Sequence, residues 1–169
     1  MEAPKITPTE RLILVNQYRI LASVEEYGEE YNTLAEIVER GYKGLYYKLF
    51  DSLHDEVSEE VTEETNDILD MFRHIQSGIA SLTDDEKKQL NMSTLSFGGF
   101  DANHDDHYFQ MEFMVKKLGL WDELKNTYLN SHSQAYLPRY RAQLAVFNSV
   151  RKLESPLGLA DLQQIANAK

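Results

Sequence analysis

The chain has 169 residues, with 28 acidic and 17 basic side chains and a formal net charge of −11 at pH 7. There is no cysteine, which excludes a disulfide framework, a thiol nucleophile and thiolate metal ligands. The acidity argues against direct nucleic-acid binding, and no apolar run of about 18 residues is present to span a membrane. The N-terminal segment lacks the pattern of a signal peptide, so we expect a cytoplasmic protein without a membrane partner.

The negative charge is concentrated in one block, residues 51–70, which contains nine acidic and no basic side chains. Its second half opens a predicted long helix, where acidic residues interact favourably with the helix dipole. We expect a solvated acidic surface that is available for interaction. This surface consists of Glu59, Glu60, Glu63, Glu64 and Asp67.

The first part of the chain predicts three helices. Thr7, Pro8 and Glu10 form a capping-box pattern, which starts a helix over residues 8–25. A second helix should contain the apolar residues of segment 31–38 and end at Gly41, because glycine adopts the left-handed conformation common at helix ends. A short, aromatic-rich helix is expected at residues 44–53.

The strongest periodic pattern predicts a long helix over residues 58–82. Apolar or small side chains recur at alternating spacings of four and three residues, which places them on one helix face. They are Val61, Thr65, Ile68, Phe72, Ile75, Ile79 and Leu82. The stripe is either the core face of an intramolecular helix or, through Ile68, Phe72, Ile75 and Ile79, a seam between identical chains.

The remaining sequence also reads as helical. A second capping box at Thr83 starts a short helix, residues 91–102 form an irregular segment, and a helix capped by Asn103 should end at Gly119. Pro138 opens a further helix, and a short one follows Gly158. No alternating strand pattern is present, so the prediction is an all-α, multi-helical single domain over residues 1–169. Its two packed halves would be 1–90 and 103–169, joined by the loop 91–102.

Residues 101–107, DANHDDH, contain side chains of the types that bind divalent metals. The candidate ligands are Asp101, His104, Asp105 and His107. His104 and His107 are three residues apart and could share a helix face. Asp106 stands where a calcium-binding EF-hand loop needs glycine, which argues against that motif. Alternatively, these residues are ordinary polar side chains on the surface at the start of a helix and bind no metal.

Two further sets of polar residues are candidate sites. His74, the pair His104-Asp105 and Asp161 match the ligand order of a helical phosphohydrolase only loosely. Asn130, Ser131 and His132 form a polar loop, but adjacent Ser and His do not make a catalytic triad, which requires a specific geometry. The basic residues Arg139, Arg141, Arg151 and Lys152 are expected to pair with the acidic surface, within the chain or across a subunit contact.

Five segments, in the same order and spread over nearly the whole chain, resemble the YfbU family of bacterial proteins. They are TPTERLILVNQYRIL (7–21), IVERGY (37–42), DILDMF (67–72), FGGFDANHD (97–105) and NSHSQAYLPRYRAQL (130–144). The resemblance implies a predominantly α-helical, cytoplasmic protein that forms oligomers in at least some members. It supplies no catalytic motif to transfer.

Two functions follow as hypotheses. The favoured one is a non-catalytic, homo-oligomeric interaction or regulatory protein with an acidic helix face, no cofactor, and itself or another protein as partner. The alternative is a metal-dependent hydrolase or small-ligand-binding protein that uses residues 101–107. The sequence does not decide whether the protein is an enzyme, and it favours a protein without catalytic activity.

Overall fold

The computed structural model describes residues 5–26, 28–151 and 155–168. These residues form eight α-helices and two 3-10 helices and contain no β-strand, which confirms the all-α prediction. None of the helices in this part of the chain has the length and hydrophobicity needed to cross a bilayer. The chain divides into two compact units, Met1–Glu56 and Val57–Lys169. The predicted single domain with halves 1–90 and 103–169 stays a prediction.

The first unit is a helical hairpin followed by a 3-10 helix. Helix α1 spans Pro8–Val24 and begins with the predicted capping box, in which the Thr7 side chain and Glu10 bond each other's backbone. Helix α2 spans Gly28–Arg40 and is followed by Gly41, whose φ of +70° confirms the predicted left-handed end. The predicted helix at 44–53 is a shorter 3-10 helix, Lys43–Leu49.

Helices α1 and α2 are held together by packing and by two arginines. Arg19 pairs with the carboxylate of Glu39 over 2.8 Å, and Arg11 bonds the backbone at the end of α2. Nε of Arg11 donates to the carbonyl of Val38 and Nη2 to that of Glu39, each over 2.9 Å. A cation is favourable at this position, since the last carbonyls of a helix carry partial negative charge. The unit buries few apolar side chains: Val15, Ala35, Ile37, Val38 and Tyr46.

The second unit is built around one long helix, α3, which spans Glu59–Ser81 and is capped by Ser58. Short helices α4 (Asp84–Lys87) and α5 (Met92–Leu95) follow. Helices α6 (His107–Lys116), α7 (Leu137–Val150) and α8 (Leu159–Ala166) all pack against α3. A 3-10 helix, Asp122–Leu124, lies between α6 and α7.

The apolar stripe of α3 forms the centre of this unit. Ile68 and Ile75 are fully buried and Phe72 is 1% exposed, while Ile79 is partly buried against the same cluster. The stripe is therefore the core face of an intramolecular helix. Ile68, Phe72 and Ile75 have almost no surface to offer a second chain, which argues against an oligomer seam through this stripe; the seam stays a prediction.

Residues 91–102 contribute to the core more than the prediction of an irregular junction suggested. The segment contains α5, and Phe100 is fully buried among other aromatic rings. Phe100 contacts Phe97 and Tyr140, with ring centroids 5.5 and 5.8 Å apart. Leu95, Gly99 and Phe100 of this segment are therefore buried in the second unit, whereas residues 91–93 and 96 are exposed.

Candidate functional site

Polar side chains from four separate stretches of the second unit meet near the start of α6. Glu64 comes from α3, residues 98–107 lead into α6, residues 129–134 form a loop, and Tyr140 and Arg141 lie on α7. These stretches contain most of the residues that the sequence singled out. Their geometry decides what the cluster can do chemically.

Glu64 is at the centre of the cluster. Its Oε1 accepts a hydrogen bond from Nε of Arg141, and its Oε2 accepts one from Nη2, both over 2.7 Å. Oε2 also lies 2.8 Å from Nε2 of His107. The Arg141 hydrogen bond is the main cause that lowers the pKa of Glu64 below its ordinary value.

The placement of Glu64 corrects one part of the predicted acidic surface. Glu59, Glu60, Glu63 and Asp67 are exposed, as expected of a solvated face, whereas the Glu64 side chain is only 25% exposed. Its carboxylate joins α3 to α6 and α7. Of the four basic residues expected to pair with this surface, Arg141 does so through Glu64. Arg139 and Arg151 lie over the rings of Tyr136 and Phe147 instead, and Lys152 lies outside the described residues.

His107 is the first residue of α6, and its side chain is 5% exposed. An ionised carboxylate can only accept hydrogen bonds. His107 therefore carries a hydrogen on Nε2 and donates a hydrogen bond to Glu64. Its ring stacks on Phe100 with centroids 5.2 Å apart. Nδ1 is buried and has no hydrogen-bond partner among the described residues. Because no substrate can reach this nitrogen, the arrangement fits packing rather than base catalysis.

Asp101 organises the turn before α6. Its carboxylate bonds Nδ1 of His104 at 2.5 Å and accepts from the backbone N–H of Asn103 at 3.0 Å. The backbone N–H of Asp101 donates to Oδ2 of Asp105 over 2.8 Å. The His104 bond lowers the pKa of Asp101, and the same bond raises the pKa of His104.

The four predicted metal ligands are thus only partly together. Asp101, His104 and Asp105 share one turn, while His107 is buried against Glu64. The prediction that the two histidines share a helix face is wrong, because His104 precedes α6 and its side chain is 74% exposed. Within residues 5–26, 28–151 and 155–168, no group of three His, Asp or Glu side chains could hold a metal ion. The metal site stays a prediction.

Asn103 does not cap α6, contrary to expectation. The helix begins at His107 after Asp106, whose side chain makes no capping bond. Asn103 instead donates from both its backbone N–H and its side-chain amide to Oδ1 of Asp101. This local turn satisfies Asn103 without a helix, as short polar side chains commonly do.

The residues of the looser phosphohydrolase scheme serve other roles. The His74 ring lies 5.6 Å from the ring of Phe147. Oδ2 of Asp161 accepts from the backbone N–H of Gly158 over 3.0 Å, which satisfies a free donor at the start of α8.

The polar loop at 130–132 pairs with the segment before α6. The backbone of Phe100 accepts from the N–H of Ser131 at 2.9 Å and donates to the carbonyl of Leu129 at 3.0 Å. The side-chain oxygen of Asn130 accepts from the N–H of His132 at 2.9 Å. Ser131 is 7% exposed and donates to the carbonyl of Gln134, so its hydroxyl is not activated by His132.

Tyr140 and the two glycines opposite it form a contact that sequence reasoning missed. The Tyr140 hydroxyl accepts from the N–H of Gly98 at 2.9 Å and donates to the carbonyl of Gly99 at 3.2 Å. Burial raises the pKa of Tyr140 to about 12, so the hydroxyl stays protonated. Gly99 has φ +86°, and a Cβ there would lie 2.3 Å from the carbonyl oxygen of Leu129. A glycine pair outside a helix is the one sequence signal of such a close approach.

A sequence model of the YfbU domain matches residues 4–168 of the chain. The chain belongs to the YfbU family. The match confirms the resemblance carried by the five segments, and it spans both compact units. Two of those segments, FGGFDANHD and NSHSQAYLPRYRAQL, contact each other in this YfbU domain through Phe100, Ser131 and Tyr140.

The YfbU domain also exposes apolar side chains on α1. Ile13, Ile20 and Val24 are 50%, 62% and 70% exposed, and Leu12 beside them is 63% exposed. Positions 13, 20 and 24 are seven and four residues apart, so they lie on one helix face. We call these four residues the α1 stripe. The face that contains Val15, which is buried, is on the other side of the helix.

Proposed function

We propose that the chain is a non-catalytic, homo-oligomeric interaction protein of the cytoplasm, and that identical chains associate through the α1 stripe. The observation that carries the proposal is the exposure of Leu12, Ile13, Ile20 and Val24 on one helix. Burying a half-exposed aliphatic side chain is worth about 1 kcal/mol, so the four together favour association.

The polar cluster near α6 supports a structural rather than a catalytic role. Glu64 is bound by Arg141 and His107, and Asp101 is bound by His104. A catalytic group must reach its substrate, whereas the free nitrogen of His107 is buried. The hydrogen bonds therefore join α3, α6 and α7 and order the turn between them.

The exposed acidic residues Glu59, Glu60, Glu63 and Asp67 are proposed as a second surface, for a protein partner with basic side chains. Like charges at neighbouring helical positions repel each other, and a basic partner would offset that repulsion. Such contacts would weaken as salt is added, because exposed charges are screened.

Size-exclusion chromatography with light scattering on three chains tests the association surface. Ile20→Glu should lower the mass, because it places a charge in the proposed contact. The matched control is Phe113→Glu, since Phe113 is 57% exposed but lies on α6 in the other unit. Equal masses for the two variants, with unchanged circular dichroism, would rule out the α1 stripe as the contact.

The alternative of a metal-dependent hydrolase at residues 101–107 is tested separately. Elemental analysis of protein purified without chelator, with thermal shifts on adding Mn²⁺, Zn²⁺ or Mg²⁺, measures metal binding directly. Less than about 0.1 metal per chain and no shift would remove this alternative.

A further inference from the structure

The first unit contains an open groove of about 740 Å³ that the proposed function does not use. A volume of this size matches the sites in which proteins bind small organic molecules, which are about 300–1,000 Å³. The groove is formed by α1, α2, the 3-10 helix Lys43–Leu49 and the turn after it. It lies entirely within residues 18–52.

The apolar part of the groove comes from aliphatic and aromatic side chains. Leu34, Ile37, Leu45 and Leu49 line it. Tyrosine rings are added from three positions: Tyr18, Tyr31 and Tyr42. Tyr18 and Tyr31 lie nearly parallel, with ring centroids 6.3 Å apart and planes at 22°. The faces of such rings carry negative potential and attract cations.

The charged residues of the groove are mostly acidic. Three carboxylates, from Glu30, Glu36 and Asp51, line it against one ammonium group, that of Lys48. Glu36 is paired with Arg40 over 2.7 Å. Within the described residues, Glu30 and Asp51 form no hydrogen bond or ion pair, so both carboxylates are available to a ligand. The Lys48 ammonium lies 5.5 Å from the centroid of the Tyr47 ring.

We propose that this groove binds a small amphipathic organic cation, in which an ammonium group is attached to an apolar body. The apolar body would contact the aliphatic side chains, and the cation would lie near the tyrosine rings and the free carboxylates of Glu30 and Asp51. A neutral molecule would gain only the apolar contact. An anion would be repelled by the groove and by the net charge of the whole chain.

Nuclear magnetic resonance titration of the ¹⁵N-labelled full chain tests this proposal. The probe is benzyltrimethylammonium, compared with neutral benzyl alcohol and anionic 3-phenylpropionate. We expect saturable shifts at groove residues with the cation and a dissociation constant at least about fivefold lower than for the alcohol. Added salt should weaken binding of the cation.

Two variants separate charge from apolar contact. The double variant Glu30→Gln/Asp51→Asn should weaken binding of the cation about fivefold and leave the alcohol unaffected. Tyr31→Leu keeps an apolar side chain but removes a ring. It should weaken binding of the cation and leave binding of the alcohol unchanged. The matched control is Glu29→Gln, which changes an exposed carboxylate of the same helix turn that does not line the groove.

Four results would overturn the proposal. They are equal affinity for the cation and the alcohol, shifts that map outside residues 18–52, an equal loss of affinity in Glu29→Gln, and no saturable shift with the cation. The oligomeric state in the same samples reports on the α1 stripe, so failure of one proposal is distinguishable from failure of the other.

Discussion

Arg141 donates two hydrogen bonds to the carboxylate of Glu64, over distances of 2.7 Å each, although the two residues are 77 positions apart in the chain. Two parallel bonds between a guanidinium and a carboxylate fix both side chains in one geometry. The same carboxylate binds the buried His107 ring. One acidic side chain therefore links three helices of the second unit, α3, α6 and α7.

Glu64→Gln should lower the free energy of unfolding by about 1–3 kcal/mol, because His107 and Arg141 lose a charged acceptor. Urea denaturation followed by circular dichroism at neutral pH measures this. Glu63→Gln is the control, since Glu63 is exposed, and it should change stability by less than about 0.5 kcal/mol. Equal effects of the two substitutions would contradict the structural role of Glu64.

The Asp101–His104 pair should stabilise the fold within a limited pH range. The pKa of Asp101 is lowered on folding, so its contribution is present above its ordinary value of 3.8 and is lost as pH falls. The pKa of His104 is raised, so its contribution is fully present below its ordinary value of 6.5 and is lost as pH rises through the folded pKa.

Comparison of His104→Gln with the parent chain tests this pH dependence. The difference in unfolding free energy between the two should be largest between about pH 4 and 6.5 and should shrink on either side. His132→Gln serves as the control, because His132 is exposed and its side chain is outside this pair. A difference that does not vary with pH would show that the pair does not form.

Gly99→Ala should be more destabilising than Gly119→Ala. Both residues have positive φ, but a Cβ at Gly99 meets the carbonyl oxygen of Leu129, whereas a Cβ at Gly119 meets nothing within 4 Å. We expect a loss of about 1 kcal/mol at Gly119 from backbone strain and at least about 2 kcal/mol at Gly99. Thermal melts of the two variants give this comparison, and similar losses would contradict the close packing of residues 99 and 129.

Tyr140→Phe should cost about 1–3 kcal/mol although it changes one atom. The substitution removes the hydroxyl that satisfies the N–H of Gly98 and the carbonyl of Gly99, and Tyr140 is fully buried. Tyr128→Phe is the control, because Tyr128 is 85% exposed. Hydrogen exchange should quicken at the Gly98 amide in the Tyr140 variant alone.

Local patterns predicted much of the fold. The capping boxes at Thr7 and Thr83 were correct because their partners, Glu10 and Glu86, are three residues away. The stripe of α3 was correct because helical periodicity is contained in the sequence. The predicted start of α6 failed because Asp101 captures the Asn103 amide, a competition between two local hydrogen bonds that spacing does not resolve.

The candidate site was predicted only in part because its geometry depends on long-range packing. The sequence marked Glu64, His107 and Arg141 separately, and all four basic residues of the 139–152 group were expected to pair with the acidic block, of which only Arg141 is seen to do so in the described residues. Nothing local indicates which carboxylate is chosen, since that depends on how α6 and α7 cross α3. The hydrogen bond from the Tyr140 hydroxyl to Gly99 could not be predicted for the same reason, since the two residues are 41 positions apart and meet only in the folded chain.

The most direct test of the proposed self-association is the mass of the unmodified chain in solution. Light scattering should give at least twice the chain mass of 19.6 kDa, with Ile20→Glu lowering it and Phe113→Glu leaving it unchanged. A mass of 19.6 kDa that does not change up to about 100 µM would contradict association through the α1 stripe.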